Sequence, residues 1–116
     1  MQIQRNTTLW YWAEYSTFSI SDEVAKYQLT VDGYSGDAGD AMRKAQLARL
    51  DADGKMFSAD DSDNDECPVC HCGSLGGWWF AWCSASCLNH GVGDSIWTTG
   101  ATYFDVKASR MLVRVD

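Results

Sequence analysis

Proline is almost missing from this 116-residue chain, which has one, Pro68. Basic side chains are also scarce: nine Lys and Arg stand against sixteen Asp and Glu, for a net charge of −7. That balance argues against nucleic acid and anionic membranes as partners, because both reward clustered Lys and Arg. It leaves room for cations. No apolar run approaches the roughly 18–20 residues of a membrane span, so membrane insertion is not expected. The opening residues, Met1-Gln2-Ile3-Gln4-Arg5-Asn6, lack the apolar core of a secretory signal. For a secreted protein the leader is expected outside this chain. No linker and no internal repeat divides the sequence, and its length suits a single domain.

Apolar residues make up 46% and charged residues 22%, as in ordinary globular domains, so disorder is not expected. Six Trp and five Tyr are many for this length. Five Cys is an odd number, so pairing within the chain leaves at least one thiol. Asn6-Thr7-Thr8 is an N-glycosylation sequon, an acceptor if the chain is extracellular and otherwise a chance triplet.

Residues 1–8 are polar and carry no strong signal. Residues 10–20, WYWAEYSTFSI, are dense in aromatic and β-branched side chains and predict a strand. Residues 27–34, YQLTVDGY, place Tyr27, Leu29 and Val31 on one face of a second strand. With a turn at Asp22-Glu23 the two form an antiparallel hairpin. A polar turn over 35–40 leads into AMRKAQLARL (41–50), whose strong helix formers and N-capping Asp40 predict a helix. The end, TYFDVKASRMLVRVD, predicts one or two strands. The expected class is α+β, with a mainly antiparallel sheet and short helices.

Asp61-Ser62-Asp63-Asn64-Asp65 puts a carboxylate at every second position. Ca²⁺ takes six to eight oxygen ligands, and a bound ion would relieve the repulsion among these acids. An EF-hand is excluded, because the Gly and Glu it needs at its sixth and twelfth positions are Glu66 and Cys72 here. Spacing alone leaves two readings, a cation loop and a solvated acidic turn.

Cys67-Pro68-Val69-Cys70 is a CxxC, followed by Cys72, Cys83 and Cys87. Cys67, Cys70, Cys83 and Cys87 could supply a tetrahedral zinc site. The competing reading is a disulfide across Gly-Gly-Trp-Trp with the other thiols free or intermolecular. Ser84, His90 and Asp94 are present, but nothing in their spacing positions a nucleophile, a base and an orienting group, so no catalysis is expected.

The order of the motifs adds a resemblance. KYQLTVDGYSGDAGDAM (26–42), GKMFSADDSDND (54–65), Cys70, GGWWFAWCSASCLNH (76–90), IWTTGATYF (96–104) and SRMLVRV (109–115) follow one another along the chain. The series resembles the fibrinogen C-terminal domain, the globular module of fibrinogen chains, ficolins, tachylectins, angiopoietins and tenascins. The resemblance runs from about Trp10 to near the end. It implies a single partial domain over residues 1–116, comprising the family's central and C-terminal subdomains without the N-terminal one. The implied fold is a twisted, mainly antiparallel sheet with a loop-rich end that binds Ca²⁺ and ligand.

The family's Ca²⁺ loop maps Asp63 and Asp65 to carboxylate ligands, with Asp61 adding charge, and Cys67 and Val69 to backbone carbonyl ligands. Four residues separate Asp65 from Cys70, one fewer than the family pattern, so affinity is expected to be weak. The resemblance also pairs Cys70 with Cys83 around the Trp-rich segment. It maps the acetyl-binding site to Trp82, Cys83 and Ser84, with a cis bond between Trp82 and Cys83. Ser84 stands where acetyl-binding members often have His, and the loop after Asn89 is shortened. Trp78, Trp79, Trp82 and Trp97 are accordingly expected in the core and at its rim.

The function implied is a secreted, non-enzymatic recognition module, lectin-like or protein-binding, of the kind that serves innate immunity. Its ligand would be a carbohydrate, an acetylated group or a protein partner. Two alternatives stand beside it. One is a truncated scaffold that has lost sugar binding and self-associates through surface the missing subdomain would cover. The other is the zinc module.

Overall fold

The computed structural model describes every residue except 6, 7, 46, 91–94, 100–102 and 116. The Asn6 acceptor and Asp94 lie outside the described residues. Among the described residues seven strands follow in order: β1 (Gln2–Arg5), β2 (Trp10–Ile20), β3 (Leu29–Gly36), β4 (Phe57–Ser58), β5 (Trp78–Trp79), β6 (Ile96–Thr98) and β7 (Tyr103–Arg110). Five form an antiparallel sheet ordered β3-β2-β1-β7-β6, and β4 with β5 makes a separate two-stranded ribbon.

The hairpin forms where the pattern places it. β2 covers residues 10–20, and Ile20 pairs with Leu29 while Ala13 pairs with Gly36. Leu29 and Val31 point into the core, but Tyr27 stays in the turn. The polar N-terminus supplies the central strand. Ile3 is fully buried between β2 and β7, and the terminal amine donates to the Ala13 carbonyl at 2.6 Å. Sequence pattern missed this strand because a single apolar residue between two glutamines is too short a period to read.

The helix expected over 41–50 does not form. Lys44 N–H donates to the Asp40 carbonyl at 2.8 Å, and the ladder stops there. The Met42 carbonyl instead accepts the amides of Ala52 and Asp53 at 2.9 and 3.0 Å. Asp51 accepts the Ala45 amide at 2.9 Å, and the Asp40 carboxylate accepts the Tyr15 hydroxyl at 2.8 Å rather than capping. Ala41 and Met42 are drawn into the core. Ten residues are too few to hold a helix by propensity alone, so these tertiary contacts prevail. Helix among the described residues is confined to single 3₁₀ turns at Ala48–Leu50 and Cys72–Leu75. The α+β expectation therefore holds for its antiparallel sheet and is met in its helical part only by these two short 3₁₀ turns. Residues 111–115 extend past β7 without strand pairing, and Leu112, Val113 and Val115 are exposed.

The core gathers Ile3, Leu29, Val31, Met42, Phe80 and Trp97, all fully buried, with Trp78 and Trp79 beside them. Trp97 Nε1 donates to the Gly39 carbonyl at 2.9 Å. The GYSGDAGD segment is thereby folded against the sheet. The Trp12 carbonyl accepts the amides of Asp37 and Ala38, both at 3.0 Å. Gly36 has φ of +139°, and a Cβ there would sit 2.2 Å from the Trp12 carbonyl oxygen, so only glycine fits.

Candidate functional site

The acidic segment and the Trp-rich turn meet on the two-stranded ribbon. Phe57 pairs with Trp79 and Ser58 with Trp78. Trp79 makes edge contacts with Phe57 at 5.3 Å and Phe18 at 6.2 Å between ring centroids. Such pairs add about 0.5–1.5 kcal/mol each beyond burial. Two consecutive residues of the hairpin turn, Lys26 and Tyr27, take left-handed φ values of 59° and 54°. Their carbonyls are thereby aimed at the ribbon: Phe57 N–H donates to Lys26 and Trp79 Nε1 donates to Tyr27, both at 2.9 Å. A cavity of about 230 Å³ opens beside this contact, lined by Glu23, Lys26, Tyr27, Phe57, Ser62 and Asn64.

Asn64 shapes the loop from within. Its amide donates to the buried Ser58 hydroxyl at 2.9 Å, and its Nδ2 donates to the Phe57 carbonyl at 2.9 Å and the Ser62 hydroxyl at 3.2 Å. Ala59 and Ser62 exchange backbone hydrogen bonds and put Asp60 and Asp61 at an exposed tip. Asp63 Oδ1 accepts the Asp65 amide at 3.2 Å. Asp65 accepts the Cys67 amide through Oδ1 at 2.9 Å and the Cys72 amide through Oδ2 at 3.4 Å. Burial raises the Asp65 carboxyl above its usual range, and the neighbouring Asp63 raises it further, while the two amides pull the other way.

These residues fit a divalent cation in one respect. Asp63 and Asp65 are adjacent carboxylates whose repulsion a cation would relieve, and among the described residues neither has a basic partner, since Lys55 pairs with Glu66 at 3.0 Å. Asp61 does not complete a compact set, because among the described residues no three carboxylates have oxygens within 4.8 Å of one another.

The cysteine pairing differs from the family-implied one. Cys83 is bonded to Cys72, not Cys70, and Cys70 is bonded to Cys67. The Cys72–Cys83 bond still encloses the Trp-rich segment, at a separation of 11 residues. Closing such a loop contributes about 3 kcal/mol in the chain-entropy treatment. Cys87 is a buried free thiol. Burial pushes it up to about 12, although the Ser84 carbonyl accepts its S–H at 3.4 Å. The zinc set of Cys67, Cys70, Cys83 and Cys87 is therefore not assembled: three of its members are in disulfides, and Cys87 lies apart from the sulfurs that converge.

Trp82, Cys83 and Ser84 adjoin in sequence but differ in their exposure. Trp82 is 39% exposed, with the Arg49 guanidinium 5.5 Å from its ring centroid. Ser84 is buried; its hydroxyl donates to the Leu50 carbonyl at 3.4 Å and lies 3.2 Å from the Ser86 hydroxyl. No cis peptide bond occurs among the described residues; Cys83 turns the chain with a left-handed φ of 56° instead. Trp78, Trp79 and Trp97 are core residues and Trp82 is at the rim, as expected. His90 packs against Phe80 with ring centroids 5.8 Å apart, and the Ser84 hydroxyl is engaged with Leu50 and Ser86 instead. The Lys26–Tyr27 contact and the cavity beside it were missed from sequence, where only the turn residues Asp22-Glu23 marked this place.

Residues 1–114 match the family described as fibrinogen beta and gamma chains, C-terminal globular domain. Human angiopoietin-4 is 35% identical over 116 residues, covering 89% of this chain and 22% of its own length. The Drosophila melanogaster protein scabrous is 38% identical over 112 residues, covering 88% of this chain and 12% of its own. The chain thus spans less than a quarter of either relative. Among solved structures, the fibrinogen-like globe domain of human ANGPTL6 superposes with a TM-score of 0.70 at 26% identity, covering 91% of this chain and 50% of that one. Lamprey fibrin D-dimer, solved with the peptide Gly-His-Arg-Pro-amide, shares the fold with a TM-score of 0.76 at 21% identity, covering 91% of this chain and 41% of that one. With the antiparallel sheet, the Trp-rich turn and its enclosing disulfide in place, the chain belongs to the fibrinogen C-terminal globular domain family.

Proposed function

We propose that the chain is a non-enzymatic extracellular recognition module that binds a protein partner at the ribbon end, with Ca²⁺ steadying the acidic loop. The observation that carries this reading is the Lys26–Tyr27 turn. Two left-handed non-glycine residues cost on the order of 1–3 kcal/mol each, and such strain gathers at functional sites. Here it holds Tyr27, 43% exposed, in the lining of the cavity together with Asn64 and Glu23. Two disulfides suit an oxidising, extracellular setting. Angiopoietins and a peptide-bound fibrin among the similar proteins point the same way.

Binding of a carbohydrate or acetylated ligand through Trp82, Cys83 and Ser84 is the weaker reading, since Ser84 is buried and spoken for by the Leu50 carbonyl. Asp63 and Asp65 would hold Ca²⁺, whose part is to neutralise the loop; the Cys67 and Val69 carbonyls are the family's further donors. The test is peptide display on the folded domain in millimolar Ca²⁺, run beside retention on acetylated resin and glycans with and without EDTA. Enriched peptides that lose affinity in Tyr27→Ala but not in Glu14→Gln support the reading. Retention on acetylated resin with no peptide enrichment overturns it in favour of the lectin.

A scaffold that self-associates is favoured by one separate observation. Leu112, Val113 and Val115 are 72%, 65% and 90% exposed beside Met111. Sedimentation that shows a monomer across concentration removes this reading.

A further inference from the structure

We propose that the two disulfides form one thiol–disulfide exchange site, entered by a small-molecule thiol at Cys70 and relayed by the Cys70 sulfur to the Cys72–Cys83 bond. The sulfurs of Cys70, Cys72 and Cys83 all lie within 4.8 Å of one another, yet Cys70 is bonded to Cys67 and Cys72 to Cys83. One sulfur of the first bond thus stands beside both sulfurs of the second. Cys67 and Cys72 are buried, whereas Cys70 is half-buried and follows Val69, which is 87% exposed. The first bond is therefore reached from solvent at Cys70. Both segments are tied to the Asp65 carboxylate through the Cys67 and Cys72 amides. Opening the first bond leaves that tether, so Cys70 stays near its neighbours. An attack within one molecule outruns an external thiol present at millimolar concentration.

The chemistry balances as a reduction by a monothiol. A thiolate attacks Cys70 Sγ, a mixed disulfide forms, and Cys67 leaves as thiolate and takes a proton. A second thiol attacks the outer sulfur of the mixed disulfide, forms the oxidised dimer of the reagent, and releases the Cys70 thiolate. Cys70 then attacks one sulfur of the Cys72–Cys83 bond, and the other sulfur leaves as thiolate. The new bond carries Cys70 and is opened by the same two steps. Four thiols are oxidised to two disulfide dimers, and four cysteine thiols result. Cys87 takes no part, being buried and outside the converging group.

The intact chain is incubated with glutathione, quenched in acid at intervals, alkylated and mapped by mass. Cys72 and Cys83 should become alkylatable at least tenfold faster in the wild type than in Cys67→Ser/Cys70→Ser. Equal or faster opening in the double variant overturns the relay and assigns direct attack at half-buried Cys83. A second readout uses the wild type alone and does not depend on how the variant folds. Partly reduced chains should contain a bond joining Cys70 to Cys72 or Cys83. If Cys72–Cys83 opens with no such species at any time, the relay is wrong.

Discussion

The Asp65 carboxylate accepts the Cys67 amide at 2.9 Å, and its other oxygen reaches the Cys72 amide. One side chain therefore ties the acidic loop to the first cysteine of each disulfide. Hydrogen bonds to charged groups contribute about 1.5–3 kcal/mol. Asp65→Ala should lower stability by about 1–3 kcal/mol in urea unfolding. Loss within a few tenths of a kcal/mol would show that the disulfides alone hold this loop.

The same carboxyl sets a pH dependence. Its folded value is raised, by burial first and by Asp63 second, so ionising it costs the fold more than the unfolded chain. That cost is present at neutral pH and is relieved as pH falls through the raised value toward 3.8. Asp63→Asn should bring the Asp65 value down but not fully back, because burial remains. Carboxyl-carbon NMR titration of both forms measures this directly. An unchanged Asp65 midpoint would refute the coupling to Asp63.

Millimolar Ca²⁺ should raise the melting temperature of the wild type. At a hundredfold excess over Kd the stabilisation is about 2.7 kcal/mol. The affinity expected is on the order of 10⁻⁴–10⁻³ M. Asp63→Ala should abolish the gain, and Glu14→Gln, on the exposed face of β2, should retain it. A wild-type melting curve unmoved by Ca²⁺ would leave the segment a solvated acidic turn.

Cys87 should resist iodoacetamide while the chain is folded and react on addition of denaturant. With its thiol pushed up to about 12, only about one in ten thousand is thiolate at pH 8. The sign for stability follows. Above the ordinary value of 9.0 the unfolded thiol ionises and the buried one does not, so stability falls with rising pH. Cys87→Ala should flatten that alkaline decline, as followed by thermal melts between pH 8 and 10. Rapid alkylation of the native thiol would contradict its burial.

Ser84→His should not build an acetyl pocket. The site is 6% exposed and filled by contacts to Leu50 and Ser86, so an imidazole overpacks it at a cost of about 1–3 kcal/mol. The expected result is a lower melting temperature with no retention on acetylated resin. Retention by the variant would show that the backbone here can open.

Two glycines with positive φ separate conformation from space. Gly36→Ala meets the Trp12 carbonyl, whereas a Cβ at Gly54, with φ of +77°, meets nothing within 4 Å. Gly54→Ala should cost about 1–2 kcal/mol from the left-handed backbone alone. Gly36→Ala should cost more, as chemical denaturation of both variants would show. Equal losses would mean that the sheet shifts to admit the methyl group.

The hairpin of β2 and β3 was legible in the sequence because alternation and β-branched, aromatic composition are local properties of 10–20 and 27–34. The motif order was legible too, and with it the family, since GYSGDAGD and GGWW are specific strings. Other features depended on what lies across the fold. The central strand at Gln2–Arg5 exists because β2 and β7 flank it, not because its residues announce a strand. The helix formers of 41–50 are held open by amides from Ala52 and Asp53, which reach the Met42 carbonyl only after the chain returns. Cysteine pairing was equally beyond a spacing rule. Cys70 and Cys72 are two residues apart, and both sulfurs come within 4.8 Å of Cys83. Which one bonds is decided by the backbone that Asp65 and the Cys72–Leu75 turn impose, a tertiary constraint that separation along the chain does not carry.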